Sequence, residues 1–582
     1  MTSTGETETT GTGGAPSPRQ PAWQKSLKRY GPIAAVAVLI AGAVLVFGGG
    51  GGDDDDEAST TGTATEEELI RSGPMTPERA ELEGAEVDFG ANCDTETGRI
   101  KLVSVYAPPC VEPFDGDNGG ATSPGVTGDA IKIVYYQTDP ALDPLAAATA
   151  QDAGAQIDPE SAAETVQDFV DLYNKLFEGY GREIVVEGFT GTGAASDTEA
   201  ARADAIAIAE KEPFAVIGGP LQSSAVFAGE LAAREIVCGP GCASALNNDI
   251  VEELEPYVWQ ASTTPNQSSA LAAELIGNLA GPGKAELAGD PELREQDRVY
   301  ALVHYDTAEG DHQPVFEALK SALSDNGIEL ETDVEFTLDL ARAQEDARTN
   351  IGKLMDAGVT TVIYYGDPLT PGSLTQEATA QGYFPEWILG PSTLMDTSMF
   401  ARRTDPEQWK NGFGMSLIGA RGATETNGAF QIYEWAYGTE PPNTNVNILE
   451  PYLRTVFTGV HLAGPELTPE TFRDGLLRYP VSGGGPTEPQ VSRGDHGVWP
   501  DFDWGGTDDV AIIWFDPTAT GEDEVGNEGT GMYRYANGGE RYSIGNLPTS
   551  LEEAGLFDVD SSVVVFDEVP EEDRTPDYPP PA

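Results

Sequence analysis

The sequence predicts an α/β protein of two doubly wound lobes, preceded by one apolar segment able to cross a membrane. Three observations point there. From Ile131 to Cys238, compact β-branched and aromatic runs alternate with helical stretches, the pattern of a mainly parallel sheet covered on both faces. A second series of the same kind continues to Gly390. A length of 582 residues also exceeds what one ordinary core encloses.

The chain opens with a Gly-, Thr- and Ser-rich arm, residues 1–30, read as disordered and cytoplasmic. Residues 31–48 follow as the candidate transmembrane segment. The apolar run from Gly31 to about Phe47 carries no charge and, at roughly 17 residues, is near the minimum span of a membrane helix. Lys25, Lys28 and Arg29 precede it and Asp53 to Asp56 follow it, so the positive side stays inside and the body lies outside. A cleaved signal peptide is the rival reading, although the run ends in glycines without a small-residue cleavage site. Residues 49–85 read as a disordered acidic linker.

Four cysteines agree with export. Cys93 and Cys110 flank a short loop within residues 86–127, and Cys238 and Cys242 enclose "GPG". Disulfides pairing Cys93 with Cys110 and Cys238 with Cys242 are the simplest arrangement in an exported chain. A zinc site is the competing reading, but the spacings suit it poorly.

The first lobe begins at "GDAIKIVYYQTD", with a strand over Ile131 to Tyr136. The next segment places Val166, Phe169, Val170, Tyr173, Leu176 and Phe177 on one helical face and stops at Gly179. Strand "EIVVEGF", helix "TEAARADAIAIAEK", strand "FAVIGG", helix "SAVFAGELAARE" and strand "EIVC" complete the series. After Ser262 the second series supplies strands "RVYALVHYD", "LETDVEFTL", "TTVIYYG" and "EWILG", with helices between them. "GFGMSLIG" and three helical segments reaching Leu477 follow, then "DDVAIIWFDP" and "GMYRYANGGERYSIG" as an antiparallel pair with an Asn-Gly-Gly turn. Residues 546–582 read as an acidic tail.

Composition excludes some functions. A formal net charge of −65, from 97 acidic and 32 basic residues, repels nucleic acid and anionic surfaces. The four histidines are scattered, and neither a nucleophile elbow nor a Walker loop is present. His304, at a strand end, reads as a hydrogen-bonded structural residue rather than a base. The chain reads as a non-enzyme, and nothing in it calls for a cofactor.

In their order and spacing, the segments "IKIVYYQT", "VIGGPLQSSA", "VWQASTTPNQSS", "YALVHYDTAEG", "TVIYYGD" and "WILGPS" resemble the type I periplasmic binding proteins. The likeness is to their branched-chain amino-acid-binding subgroup of ABC-transporter receptors, and it covers about Gly128 to Gly545. It implies two lobes joined by three crossovers, near Ser262, Gly390 and Gly505. Lobe one would be 128–261 with 391–500, and lobe two 262–390 with 501–545. It also implies a small polar, amino-acid-like ligand held in the cleft and delivered to a permease. The alternative is a ligand-sensing receptor of the same fold with no transport role.

Parallel sheets bind ligands beyond the carboxyl ends of their strands. Gln222, Ser223 and Ser224 stand at such an end and open a helix, where unpaired N–H groups favour an anion. In the family the matching serines hold the ligand carboxylate; plain capping by Ser223 is the competing reading. Gln137 and Thr138, at the tip of the first strand, line the expected cleft floor or form a solvated turn. Ser244 in "CGPGCASAL" matches a segment that offers the ligand a hydroxyl. In the second lobe the sequence departs from the amino-acid pattern. Glu309 stands where the family has a tyrosine, Asp367 follows "VIYYG", and Ser392 replaces the acidic partner of a ligand ammonium. These acids are candidates for a cationic or hydroxylated ligand, or plain surface charge.

Overall fold

The computed structural model describes residues 66–143, 158–306, 313–337, 339, 341–392, 394–423 and 426–581. The arm 1–30, the anchor segment 31–48, residues 49–65 of the expected linker and Glu309 lie outside the described residues. Residues 66–85 of that linker are instead ordered, with helices at Glu66–Ser72 and Pro77–Glu83 and the Leu69 carbonyl accepting from Arg478. Among the described residues no helix is long and apolar enough to cross a membrane.

Two parallel-rich sheets organise the chain. The smaller contains β1 (Ala130–Gln137), β2 (Glu183–Thr190), β3 (Ala215–Ile217) and β4 (Val237–Cys238), in the order β2-β1-β3-β4 and parallel throughout. Side chains alternate along β1 as the pleat requires. Ile131, Ile133 and Tyr135 enter one core, and Val134 and Tyr136 enter the other. The helices between are α1 (Pro159–Leu176), α2 (Thr198–Ala209) and α3 (Ser224–Ala232). Asp158 caps α1 through the N–H groups of Glu160 and Ser161 with Pro159 at its first turn, a strong start signal. The buried face of α1 includes Val166, Phe169, Val170, Tyr173 and Leu176, as its spacing predicts.

The chain then crosses to α4 (Pro265–Ala280), which opens on a Thr264–Gln267 capping box. The larger sheet holds β5 (Tyr300–Tyr305), β6 (Leu330–Phe336), β7 (Thr361–Tyr365), β8 (Glu386–Leu389), β9 (Phe413–Ser416), β10 (Asp509–Glu522), β11 (Glu528–Tyr535) and β12 (Arg541–Ser543). Its order is β11-β10-β9-β8-β7-β5-β6, with β12 also on β10. Strands β5 to β9 run parallel, and β10 is antiparallel to β9, β11 and β12. The Asn537-Gly538 turn, in left-handed backbone conformation, links β11 to β12, not β10 to β11.

The sheet order corrects one expected crossover. Phe413–Ser416 pairs with both β8 and β10, so the chain has not left the larger sheet at Gly390. It returns after β9, because α5 (Gly428–Tyr437), α6 (Val446–Ala463) and α7 (Pro469–Leu477) pack their apolar faces into the core of the smaller sheet. The final crossing runs through residues 503–508. There Gly506 N–H donates to the Ser262 carbonyl, so the first and third crossings lie side by side.

Both ends of the described chain are integrated. Cys93 and Cys110 are bonded, as are Cys238 and Cys242. The loop around the first bond docks on the smaller sheet's helices: Asn92 donates to the Leu176 carbonyl, and His461 contacts the Pro109 carbonyl. Burial drives the His461 pKa down to about 4. Residues 546–581, expected as an acidic tail, are tied to the folded body. Val563 bridges to Tyr535, Phe566 exchanges backbone bonds with Arg421 and Ala423, and Tyr578 reaches Asp94 and Trp435.

Candidate functional site

A pocket of about 260 Å³ opens at the carboxyl edge of the smaller sheet. Asp158, Pro159 and Ala162 at the start of α1 form one wall, and strand ends, turns and a helix from elsewhere in the chain form the rest. The end of β1 gives Tyr135 to Thr138, the turns after β3 and β4 give Gly218, Gly219 and Gly241, and α6 with the residues before it closes the far side. Chain topology dictates this location, since every parallel strand of a doubly wound sheet releases its loop at the same end.

Backbone geometry explains the glycines. Gly218 has φ +69, and a Cβ there would lie 2.4 Å from the Tyr136 carbonyl oxygen. Gly241 has φ +78, and a Cβ there would lie 2.3 Å from the Tyr452 ring. Only glycine accepts both the left-handed backbone and the close approach. The Cys238–Cys242 bond closes the Gly241 turn, which packs beneath Gly219.

Two phenols enter this pocket, Tyr135 from β1 and Tyr452 from α6. Burial raises the pKa of both, that of Tyr452 to about 12, and the neighbouring Tyr135 adds to the rise at Tyr452. Both therefore stay protonated near neutral pH and can donate as well as accept hydrogen bonds. Gln137 is steadied by donation from Nε2 to the Pro159 carbonyl, 3.1 Å away. Asn443 is buried and committed. Its amide reaches Ser161 Oγ at 2.9 Å and its Oδ1 accepts from Asn445 N–H at 2.8 Å. It thereby stitches the entry of α6 onto the start of α1. Asn445 caps α6 without a side-chain capping bond. At the rim, Leu221 is 57% exposed and Ile448 51%.

Gln137 and Thr138 are among the residues that line this pocket. Gln222, Ser223 and Ser224 are not among its lining residues. The Ser224 hydroxyl donates to the Ser244 carbonyl at 2.7 Å, which commits it to the loop of the second disulfide. Ser223 makes no side-chain capping bond, and its buried Oγ has no hydrogen-bond partner among the described residues. Ser244 meets Ser224 through its backbone.

Asp367 and Ser392 do not line the pocket either. Asp367 Oδ1 accepts from Leu369 and Thr370 N–H at 2.8 Å each, beside the first turn of the 370–381 helix. Ser392 accepts from Gly366 N–H and donates to the Tyr364 carbonyl, both at 3.1 Å. These side chains brace the ends of β7 and β8. His304 packs on the Phe316 ring and bonds Asp333 at 2.5 Å.

Tyr135, Tyr452, Leu449 and Ile448 are lining residues that the sequence did not reveal. Tyr135 was legible only as a strand residue. The polar run "NTNVN" before an amphipathic helix was the available signal for α6, yet nothing local assigns that helix, which starts at Val446, to the mouth of a sheet whose last strand ends at Cys238.

The sequence matches no protein-family model, and no curated protein matches it. Solved structures similar in fold include a solute-binding protein of an ABC transporter from Rhodopseudomonas palustris in complex with p-hydroxybenzoic acid. It is 11% identical, with 72% of this chain and 98% of that one covered, at a TM-score of 0.47. A substrate-binding protein of an ABC transporter from Aeropyrum pernix is 12% identical, covering 72% and 96%, at a TM-score of 0.48. A fatty acid ABC transporter substrate-binding protein from Thermomonospora curvata is 14% identical, covering 75% and 96%, at a TM-score of 0.45. At these identities the ligand of a matched structure does not carry over to this chain.

Proposed function

We propose that this chain is an exported solute-binding protein that captures a small polar ligand at the carboxyl edge of its smaller sheet and delivers it to a membrane permease. The observation that carries the reading is the pocket between Tyr135 of β1 and Tyr452 of α6, floored by Gly218, Gly219 and Gly241. Concave, largely apolar sites with a few convergent polar groups are what small-molecule binding requires. The exposed Leu221 and Ile448 at the rim suit a surface that is covered when a ligand enters and the second sheet's domain closes over it. The ordered sequence segments that resemble type I periplasmic binding proteins support the same conclusion. The side chains of the pocket suit binding rather than catalysis. Gln137, Thr138, Asn445 and the two phenols offer hydrogen bonds, and none forms a nucleophile–base pair.

Two disulfides suit an oxidising compartment. The basic flank and apolar run of residues 25–47 would tether the body outside the membrane.

The test is a thermal-shift screen of the purified chain against sugars, nucleosides, amides, amino acids and organic acids, followed by calorimetry of each hit. A ligand at 100 times its Kd adds about 2.7 kcal/mol to stability. The expected hit is saturable at one site, is lost in Tyr452→Ala with the circular dichroism spectrum unchanged, and compacts the protein in X-ray scattering. A folded protein that binds no member of the screen overturns the reading.

A further inference from the structure

The side chains around the pocket restrict what can occupy it. Among the described lining residues the one charged group is the Asp158 carboxylate; lysine and arginine are absent from that lining. Asp158 is exposed, and one of its oxygens already caps α1. Cations of the smaller sheet are spent elsewhere. Lys132 and Lys211 pair with Glu187, and Arg182 donates to the carbonyls of Thr127 and Pro465. Arg454, two residues beyond Tyr452, is bonded to Glu450 and lies over the Tyr106 ring. A ligand carboxylate would meet no countercharge among the described lining residues, and the chain's net charge of −65 would oppose it. The serines expected to hold such a carboxylate stand outside the lining, one of them bonded to Ser244.

What the lining does offer is neutral. Tyr135, Tyr452, Leu449 and Ile448 present apolar and aromatic surface, while Gln137, Thr138 and Asn445 present amide and hydroxyl groups. Aromatic surface gains most from flat apolar faces, through stacking or edge contacts. Neutral amides and hydroxyls both donate and accept, so they match hydroxyl or amide groups on a ligand.

Resting on the functional reading above, we propose that this pocket selects an uncharged ligand combining a flat apolar face with hydroxyl or amide groups at its edge, and rejects free carboxylates and zwitterions. The amino-acid-like ligand that the sequence resemblance implies is therefore not the preferred one.

The test uses matched pairs that differ only in charge: benzamide against benzoate and nicotinamide against nicotinate. Adenosine represents larger neutral ligands, and L-leucine and L-lysine represent zwitterionic and cationic ones. Calorimetry on the purified full chain should show each amide binding at least tenfold more tightly than its acid, with L-leucine weaker than either amide. Tyr452→Phe, which keeps the ring and removes the hydroxyl, should weaken the amides several-fold. Ile448→Lys, at an exposed rim position, should move the preference at least tenfold toward the acid of each pair. Acids or L-leucine binding as tightly as the amides, or L-lysine binding most tightly, would overturn this proposal and leave solute capture standing. Failure of every neutral and charged compound to bind would overturn both.

Discussion

Gly241 and Tyr452 touch so closely that a single added methyl group has no room: a Cβ on Gly241 would sit 2.3 Å from a ring carbon of Tyr452. The contact joins the turn closed by Cys238–Cys242 to the helix that walls the pocket. Gly241→Ala must therefore displace the ring and also strain a backbone at φ +78. We expect a loss of roughly 1–3 kcal/mol in urea unfolding and at least tenfold weaker binding of any ligand from the screen. Adding Tyr452→Ala should recover part of the stability by removing the clash, but none of the binding. Equal stability of Gly241→Ala and the parent chain would show that the turn is free to move away from α6.

The two disulfides should differ in worth. The bond Cys93–Cys110 closes a separation of 17 residues and Cys238–Cys242 one of 4. Loop-closure entropy then assigns about 3 kcal/mol to the first and about 2 kcal/mol to the second. Double serine substitution at 93 and 110 is expected to lower stability more. The pair at 238 and 242 should instead cost more in ligand affinity, because it positions Gly241. Unfolding curves and calorimetry on the two variants separate these effects, and the reverse ranking in both would contradict the assignment.

Removing residues 558–582 tests whether the end of the chain is structural. Asp573 Oδ2 accepts from the N–H and hydroxyl of Thr487 at 2.8 and 2.7 Å, and the Trp435 indole donates to the Tyr578 carbonyl at 2.9 Å. Phe566 packs on the larger sheet's core. Losing these groups should lower stability by roughly 2–4 kcal/mol. A solvated arm would leave the melting temperature unchanged.

The strands of the smaller sheet were readable because β1, β3 and β4 are short apolar runs separated by helical stretches, the first of which opens on the clear Asp158-Pro159 start. The second crossover was not. Gly390-Pro391 looks like the end of a lobe, and the four residues of β9 carry too little pattern to reveal that they pair on both sides. The pocket was half legible. Gln137 and Thr138 follow from the rule that loops at strand ends bind ligands, whereas Tyr452 comes from a helix whose position only the tertiary packing fixes. The acidic end failed for a related reason. Composition marks residues 546–582 as an acidic tail, but Asp573 is buried against Thr487, a partner 86 residues away.

Buried and half-buried carboxyls give the stability of this protein a definite pH dependence. Glu488 is pushed up to about 7, first by burial and then by Asp573, with Glu450 adding to the rise and Arg454 and Tyr106 opposing it. Asp396 is pushed up to about 6, mainly by burial. Asp503 and Asp508, hydrogen-bonded near Ser492 in the third crossing, are both raised by burial, and at Asp503 by the neighbouring carboxyl as well. A carboxyl whose folded pKa exceeds its unfolded value holds its proton more tightly in the fold. Its contribution is complete below the unfolded pKa and is lost as pH rises through the folded one. His461 acts at the other end, since its depressed pKa of about 4 costs stability as pH falls from 6.5 toward 4. Stability should therefore be greater near pH 5.5 than at pH 8, with Glu488 supplying on the order of 1–3 kcal/mol of the difference. Glu488→Gln removes the ionisation that the fold resists, so its unfolding free energy should fall less between pH 5.5 and 8. Urea unfolding of both chains at several pH values checks the sign: stability that rises with pH through this window would mean that these carboxyls are ionised and paired in the native state.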